Sequence, residues 1–386
     1  MNKQQQQIVQ GPESTEMGDA VSRRGQQRRR SAVALAAVMS LGLGLGLAAL
    51  NGIDDSAASS HQGEQTYSLT GVSYAIPGTE PLVMSQEWAD RVKRMTAGRV
   101  TIDIHPGGSL IGYGNEREGL TSGVIDISIN APMFFAGDDP AFGAWGLIPV
   151  APIDNPARAR HLNYQWAHFG GGLEIAREMY APYNIHLIGT VHKSNEPVMS
   201  RVPLNALSDF QGLQVRAAPG LVASLFEAVG ANPVAMGGGQ IYSALDTGVV
   251  DAAEFVGAQE NLGAGLHEVS RYALYPGFHS PSVTGDVTIR ADVWDSMPED
   301  IQLILEDSVK WLNSRIDHEM AVLDVEALAR YSDEFGIELS SLSEEEIAEV
   351  QRLALEVTLE YRERSEMSGR LIDSYLEHAR RMGVID

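Results

Sequence analysis

The order of segments along the chain predicts an α/β protein of two lobes, with mixed sheets, hinge strands and long C-terminal helices. Three observations carry that expectation. Short apolar strands alternate with helices from residue 66 to residue 290. The chain crosses between two such groups near residues 190 and 283. Two amphipathic helices then close the sequence.

Residues 67–75 read as the first strand, and residues 82–95 as a helix with Trp88, Val92 and Met95 on its apolar face. Gly98 ends that helix, and Val100–His105 alternates as a second strand before the Pro106-Gly107-Gly108 turn. Glu116–Ser122 is a short helix and 124–130 another strand. Residues 157–180 read as a longer helix interrupted at Gly170-Gly171-Gly172, and 185–191 returns as an apolar strand. A second lobe begins near Ser194, with strands at 213–216 and 252–256 and helices at 220–229 and 240–246. Residues 272–275 lead back, and a strand at 283–289 re-enters the first lobe. Lobe I is therefore 66–190 plus 284–342, and lobe II is 191–283. Two lobes joined by two crossings leave a cleft, the usual place for a small ligand.

Ser296 and Glu299 form a capping-box pattern ahead of a helix with Ile301, Ile304, Leu305, Leu312, Ile316, Met320 and Leu323 on one stripe. Ser343 and Glu346 repeat the pattern, and a helix from there to Met382 would run roughly 60 Å at 1.5 Å per residue. A helix of that length overshoots one lobe, which marks 343–386 as a dimerisation element unless Gly369 kinks it back onto its own chain.

The N-terminus is of a different kind. Five arginines between Arg23 and Arg30 precede an apolar run over 32–50, the order of an export signal or, if uncleaved, of a membrane anchor. A polar linker follows over 51–65. Cysteine is absent, which excludes disulfides, lipid-modified cysteine and thiolate chemistry. The formal net charge is −23, so a nucleic-acid partner is excluded by repulsion. Lys3, Lys93, Lys193 and Lys310 are the only lysines. G-x-S-x-G, the zinc-protease helix motif and the P-loop are all missing, so the chain reads as no enzyme.

Several segments resemble one family. Ser-Asp-Phe-Gln-Gly-Leu-Gln-Val-Arg at 208–216 and Ile-Tyr-Ser-Ala-Leu-Asp-Thr-Gly-Val-Val-Asp-Ala-Ala-Glu at 241–254 are similar to signatures of the DctP receptors of tripartite ATP-independent periplasmic (TRAP) transporters. Residues 170–184 and Tyr275-Pro276-Gly277-Phe278-His279 resemble the branch that binds 2-oxo acids, and similarity extends over most of 66–335. The resemblance implies a periplasmic-binding-protein fold and an exported periplasmic receptor. Such a receptor closes on a small organic acid, a 2-oxo or hydroxy monocarboxylate, for sodium-driven uptake through membrane permease subunits. It also implies pairing into a homodimer through the terminal helix. A receptor for a dicarboxylate or neutral solute, or a cleft enzyme with Glu254 as its base, stands as the alternative.

The resemblance implies the site as well. Arg216 matches the arginine that holds the ligand carboxylate, and its planar fork suits a two-pronged grip. Glu254 and Phe255 match a Glu-Trp pair that lines the cleft and helps hold a cation. Asn195 stands where the branch carries an amide ligand contact. Phe134, Phe135 and Tyr74 occupy places of aromatic cleft walls or of plain core. No cofactor is required, but a sodium or calcium ion can accompany the ligand, held by Glu254, Asn195 and the backbone oxygen of Phe255. Ser280 stands where the branch usually has glutamate, so one anionic metal ligand is expected to be missing.

Overall fold

The computed structural model describes residues 65–193 and 195–385; the export signal and most of the linker read from the sequence lie outside them. No helix among the described residues is long and apolar enough to cross a membrane. The first sheet begins with β1 (Tyr67–Ser73), α1 (Glu80–Met95), β2 (Val100–His105), α2 (Glu116–Ser122) and β3 (Ile127–Asn130). A 3-10 turn (Pro132–Phe135) leads to α3 (Pro140–Gly146), α4 (Pro156–Phe169) and α5 (Gly172–Tyr180), and then to β4 (Ile185–Lys193). The break between α4 and α5 falls at the predicted glycines, where Gly171 takes φ +88°, a left-handed conformation that glycine adopts without strain.

The second sheet is built from β5 (Val198–Ser200), β6 (Gln214–Arg216), α6 (Leu221–Ala228), β7 (Asn232–Val234), α7 (Gly238–Thr247), β8 (Ala252–Ala253), α8 (Ala258–Gly263), α9 (Leu266–Val269) and β9 (Tyr272–Leu274). The chain returns as β10 (Val283–Arg290), followed by α10 (Ala291–Asp295), α11 (Glu299–Asp333), β11 (Glu338–Ser340), α12 (Glu344–Tyr361) and α13 (Glu366–Arg381). Strand order is β2-β1-β3-β10-β4 in the first sheet and β11-β9-β5-β8-β6-β7 in the second. In the first sheet β10 runs antiparallel to both neighbours while β1 pairs parallel with β2 and β3, so the sheet is mixed.

The chain passes between the sheets four times, twice more than the sequence pattern indicated. Residues 195–197 and 275–282 lie in the two expected crossings. The third is α11, whose Leu305, Val309 and Leu312 pack in the core of the first sheet while Ala327 and Tyr331 reach the core under the second. It delivers β11 to the edge of the second sheet beside β9, so residues 338–340 depart from the first-lobe segment that ends at 342 in the sequence reading. The fourth is the break after α12. Ser343 and Glu346 do form a reciprocal cap on α12, but Ser296 forms none: its hydroxyl donates to Val293 O, and α11 starts behind Pro298 instead.

The continuous terminal helix is likewise replaced by two. Arg362–Arg364 turns the chain, Ser365 caps α13 by accepting from Ser368 N, and Gly369 sits inside α13 without bending it. The apolar side of α13 is used within the chain: Leu371, Ile372, Tyr375, Leu376 and Ala379 are buried with Trp145 and Trp166. The Tyr375 hydroxyl donates to Val150 O at 2.9 Å. Removing 343–386 would therefore strip cores rather than release a monomer.

Asp286 of β10 is buried in the first lobe, where it accepts from Trp145 Nε1 at 2.9 Å and from the Tyr180 hydroxyl at 2.7 Å. Burial pushes its carboxyl up to about 7, against the pull of those two donors. The folded state thus holds a proton that the unfolded chain releases near 3.8, and the stability linked to it is full below that value and lost as pH rises through 7. Urea unfolding between pH 5 and 8 should show this loss in the wild type. Asp286→Asn is expected to reduce it by roughly 2–3 kcal/mol; parallel stability curves would show that Asp286 carries no such linkage.

Candidate functional site

Strand ends from both sheets converge on one cavity of about 410 Å³, counting its mouth. Tyr74, just past β1, and the turn carrying Met133 and Phe134 line it from the first sheet. Lys193 at the end of β4, Arg216 at the end of β6, and Glu254 and Phe255 after β8 complete the wall with Tyr113 and Glu196. Parallel strands β6 and β8 put Arg216 level with Ala253, and Glu254, the next residue, meets the guanidinium.

Arg216 is 1% exposed, and four of its five N–H groups are already engaged. Nε and Nη2 donate to Met236 O at 3.3 and 3.2 Å, and Nη1 donates to Glu254 O at 2.6 Å and Glu254 Oε1 at 3.1 Å. The Phe255 ring lies 5.3 Å from the guanidinium carbon. The two-pronged fork expected from the sequence is therefore turned largely onto the protein, with one N–H left over. Glu254 Oε1 also accepts from Ala218 N. Burial raises the Glu254 carboxyl, and Arg216 opposes that rise.

Behind this pair lies a cluster that the sequence reading did not assemble. Single donor atoms of Glu196, Glu254 and His279 lie within 4.8 Å of one another, all buried. His279 Nε2 is 3.7 Å from Glu196 Oε2 and 3.9 Å from Glu254 Oε2. Neither imidazole nitrogen has a hydrogen-bond partner. Burial holds His279 down at about 4 and lifts Glu196 to about 7. Two carboxylates and an unpartnered imidazole facing one point suit a cation better than they suit each other. Glu196 thus brings a second carboxylate to this cluster, where Ser280 offers none.

Asn195 is placed differently from the expectation. Its Nδ2 donates to Gly277 O at 2.7 Å and Ser280 O at 3.0 Å, and its Oδ1 accepts from Gly277 N at 2.6 Å. It ties the two crossings together and does not line the cavity. Gly277 is required at this tie, since a Cβ there would lie 1.9 Å from Glu196 O. Of the paired phenylalanines, Phe134 faces the cavity while Phe135 packs in the core against Phe142 at 5.6 Å. Phe278 also lies in the core, between Phe210 and Phe226. Tyr74 lines the cavity with its hydroxyl buried and unpartnered.

The family model of the bacterial extracellular solute-binding proteins, family 7 (DctP), matches residues 79–364. The chain belongs to this family. It is a TRAP solute-binding receptor by the same match and by its relatives. The monocarboxylate 2-oxoacid-binding periplasmic protein of Nostoc sp. (strain PCC 7120) is 28% identical over 272 residues, 70% of this chain and 72% of that protein. A TRAP periplasmic solute binding protein from Rhodobacter sphaeroides, solved in an apo open form, is also 28% identical. Its TM-score is 0.64, covering 82% of this chain and 99% of that one. One from Bordetella bronchiseptica RB50 is a dimer with calcium and picolinate in one active site and an apo site in the other. It aligns with a TM-score of 0.75 at 20% identity over 83% of this chain and 93% of that one, a likeness that shows the shared fold.

The buried Arg216–Glu254 pair makes a stability test available without any ligand. Arg216→Met leaves Glu254 buried without its cation and is expected to cost about 3–5 kcal/mol in urea unfolding. Arg216→Met with Glu254→Met should recover part of that loss; strictly additive losses would show that the two side chains do not depend on each other.

Proposed function

We propose that this DctP receptor is exported and binds a small organic acid, a 2-oxo or hydroxy monocarboxylate, in the cavity between its sheets. The lobes close over the acid, and the closed form is read by TRAP permease subunits in the membrane for sodium-driven uptake. No chemistry is done on the ligand. The observation that carries the reading is a buried arginine at the wall of a small, aromatic-lined cavity, with one N–H unengaged and a neighbouring phenol without a partner. Such a setting favours an anion with a short apolar body over a sugar, which needs many neutral partners. The Nostoc relative, named for binding 2-oxo acids, supports the same ligand class.

Glu196, Glu254 and His279 are the residues that would hold a sodium or calcium ion beside the ligand. The ion would supply further positive charge to the ligand's carboxylate. Calcium in the Bordetella structure supports this part of the reading. Pairing of two copies, as in that dimer, also belongs to it, although the apolar face of α13 is occupied within the chain and cannot serve.

A thermal-shift screen of the mature protein tests the reading. Pyruvate, lactate, malonate, glucose and leucine are compared with and without calcium or sodium. One of the acids should stabilise the protein, by about 2.7 kcal/mol at a hundredfold excess over its Kd. The stabilisation should vanish in Arg216→Met. A shift caused by glucose and by no carboxylate would overturn the carboxylate assignment, and a shift caused by leucine alone would overturn the organic-acid class.

A further inference from the structure

Lys193 is the last residue of β4, held in register opposite Val283 of β10 where the chain leaves the first sheet. It is 8% exposed and lines the cavity. Its ammonium lies 3.8 Å from the centre of the Tyr74 ring, which fixes its direction. Among the described residues it forms no ion pair and donates no hydrogen bond. Three donors are thus withdrawn from water without a hydrogen-bond partner; the charge is balanced at longer range by the buried Glu196 and Glu260, and the ammonium itself touches only an aromatic face, an arrangement that leaves its donors free for an anion.

A second observation points the same way. A carboxylate offers about four lone-pair sites. Arg216 has one N–H to give, because Met236 O and Glu254 take the rest. The Tyr74 hydroxyl is buried, unpartnered and on the same wall as Lys193. Arg216 alone cannot satisfy the ligand that the cavity is built for, and the missing donors stand together at Lys193 and Tyr74.

We propose that Lys193 is a ligand-binding residue: its ammonium, with the Tyr74 hydroxyl, shares the carboxylate of the bound organic acid with Arg216. The inference rests on the carboxylate-receptor reading and assigns the second cation of the grip. Lys193 then also sets selectivity. A neutral solute leaves its ammonium buried and unpaired, so the cleft discriminates against such solutes whatever their shape. Because β4 and β10 anchor Lys193 at a crossing, its local charge at the cavity wall opposes, for an anion, the repulsion of a chain with net charge −23.

The test uses the mature protein and Lys193→Gln, titrated calorimetrically with pyruvate, lactate and malonate. For the acid that binds the wild type, Kd should rise roughly 10- to 100-fold in Lys193→Gln, the loss of a charge-assisted hydrogen bond. A second measurement does not depend on the variant folding. In protein labelled with 15N-lysine, which has few lysines to resolve, the Lys193 Nζ resonance should shift on adding that acid. An unchanged Kd together with a static Nζ resonance would overturn the role of Lys193 while leaving the receptor reading intact. Failure of all three acids to bind the wild type would instead bring down the reading itself, and this inference with it.

Discussion

Arg216 and Glu254 are both buried at the ends of neighbouring parallel strands, and neither can be buried without the other. That constraint organises the cleft. The guanidinium is fixed by Met236 O and Glu254, so it is rigid before any ligand enters, and rigidity lowers the entropy a ligand must lose on binding. The same pairing leaves Glu254 Oε2 turned toward His279 and Glu196. One ion pair thus joins the cavity wall to the carboxylate and imidazole cluster behind it.

The frame that holds this pair is a chain that passes between two sheets four times. Asn195 and Gly277 bind the two short crossings into one strap beside the cavity. Helix α11 runs past both sheets, and α13 returns to the first lobe after α12 has packed on α6 of the second. Motion of one lobe against the other must therefore be absorbed at several places together, which favours a concerted hinge over local loosening.

Much of the fold was legible from the sequence because alternation and helical periodicity are local signals. The strands of the first sheet, the glycine break at Gly171 and the cap at Ser343 all follow from neighbours a few residues away. Arg216 and Glu254 were legible through the family resemblance, and they do line the cavity. Lys193 and Glu196 were not singled out as site residues, and His279 was read only as part of the 275–279 motif. The burial of Lys193 and Glu196 depends on β10 and the 275–282 crossing, which arrive some eighty residues later and bring His279 with them. The turn at Arg362–Arg364 carries neither glycine nor proline, so periodicity runs through it unbroken; the core around Trp166 and Tyr375 decides where the chain bends.

On the proposed reading, a buried guanidinium and a neighbouring ammonium hold one organic acid between the two sheets. A crystal structure grown with pyruvate and calcium addresses it most directly. The carboxylate of the acid is expected within hydrogen-bond distance of both Arg216 Nη2 and Lys193 Nζ, with the ion against Glu196 and Glu254. An acid bound elsewhere, or one whose carboxylate touches neither cation, would contradict it.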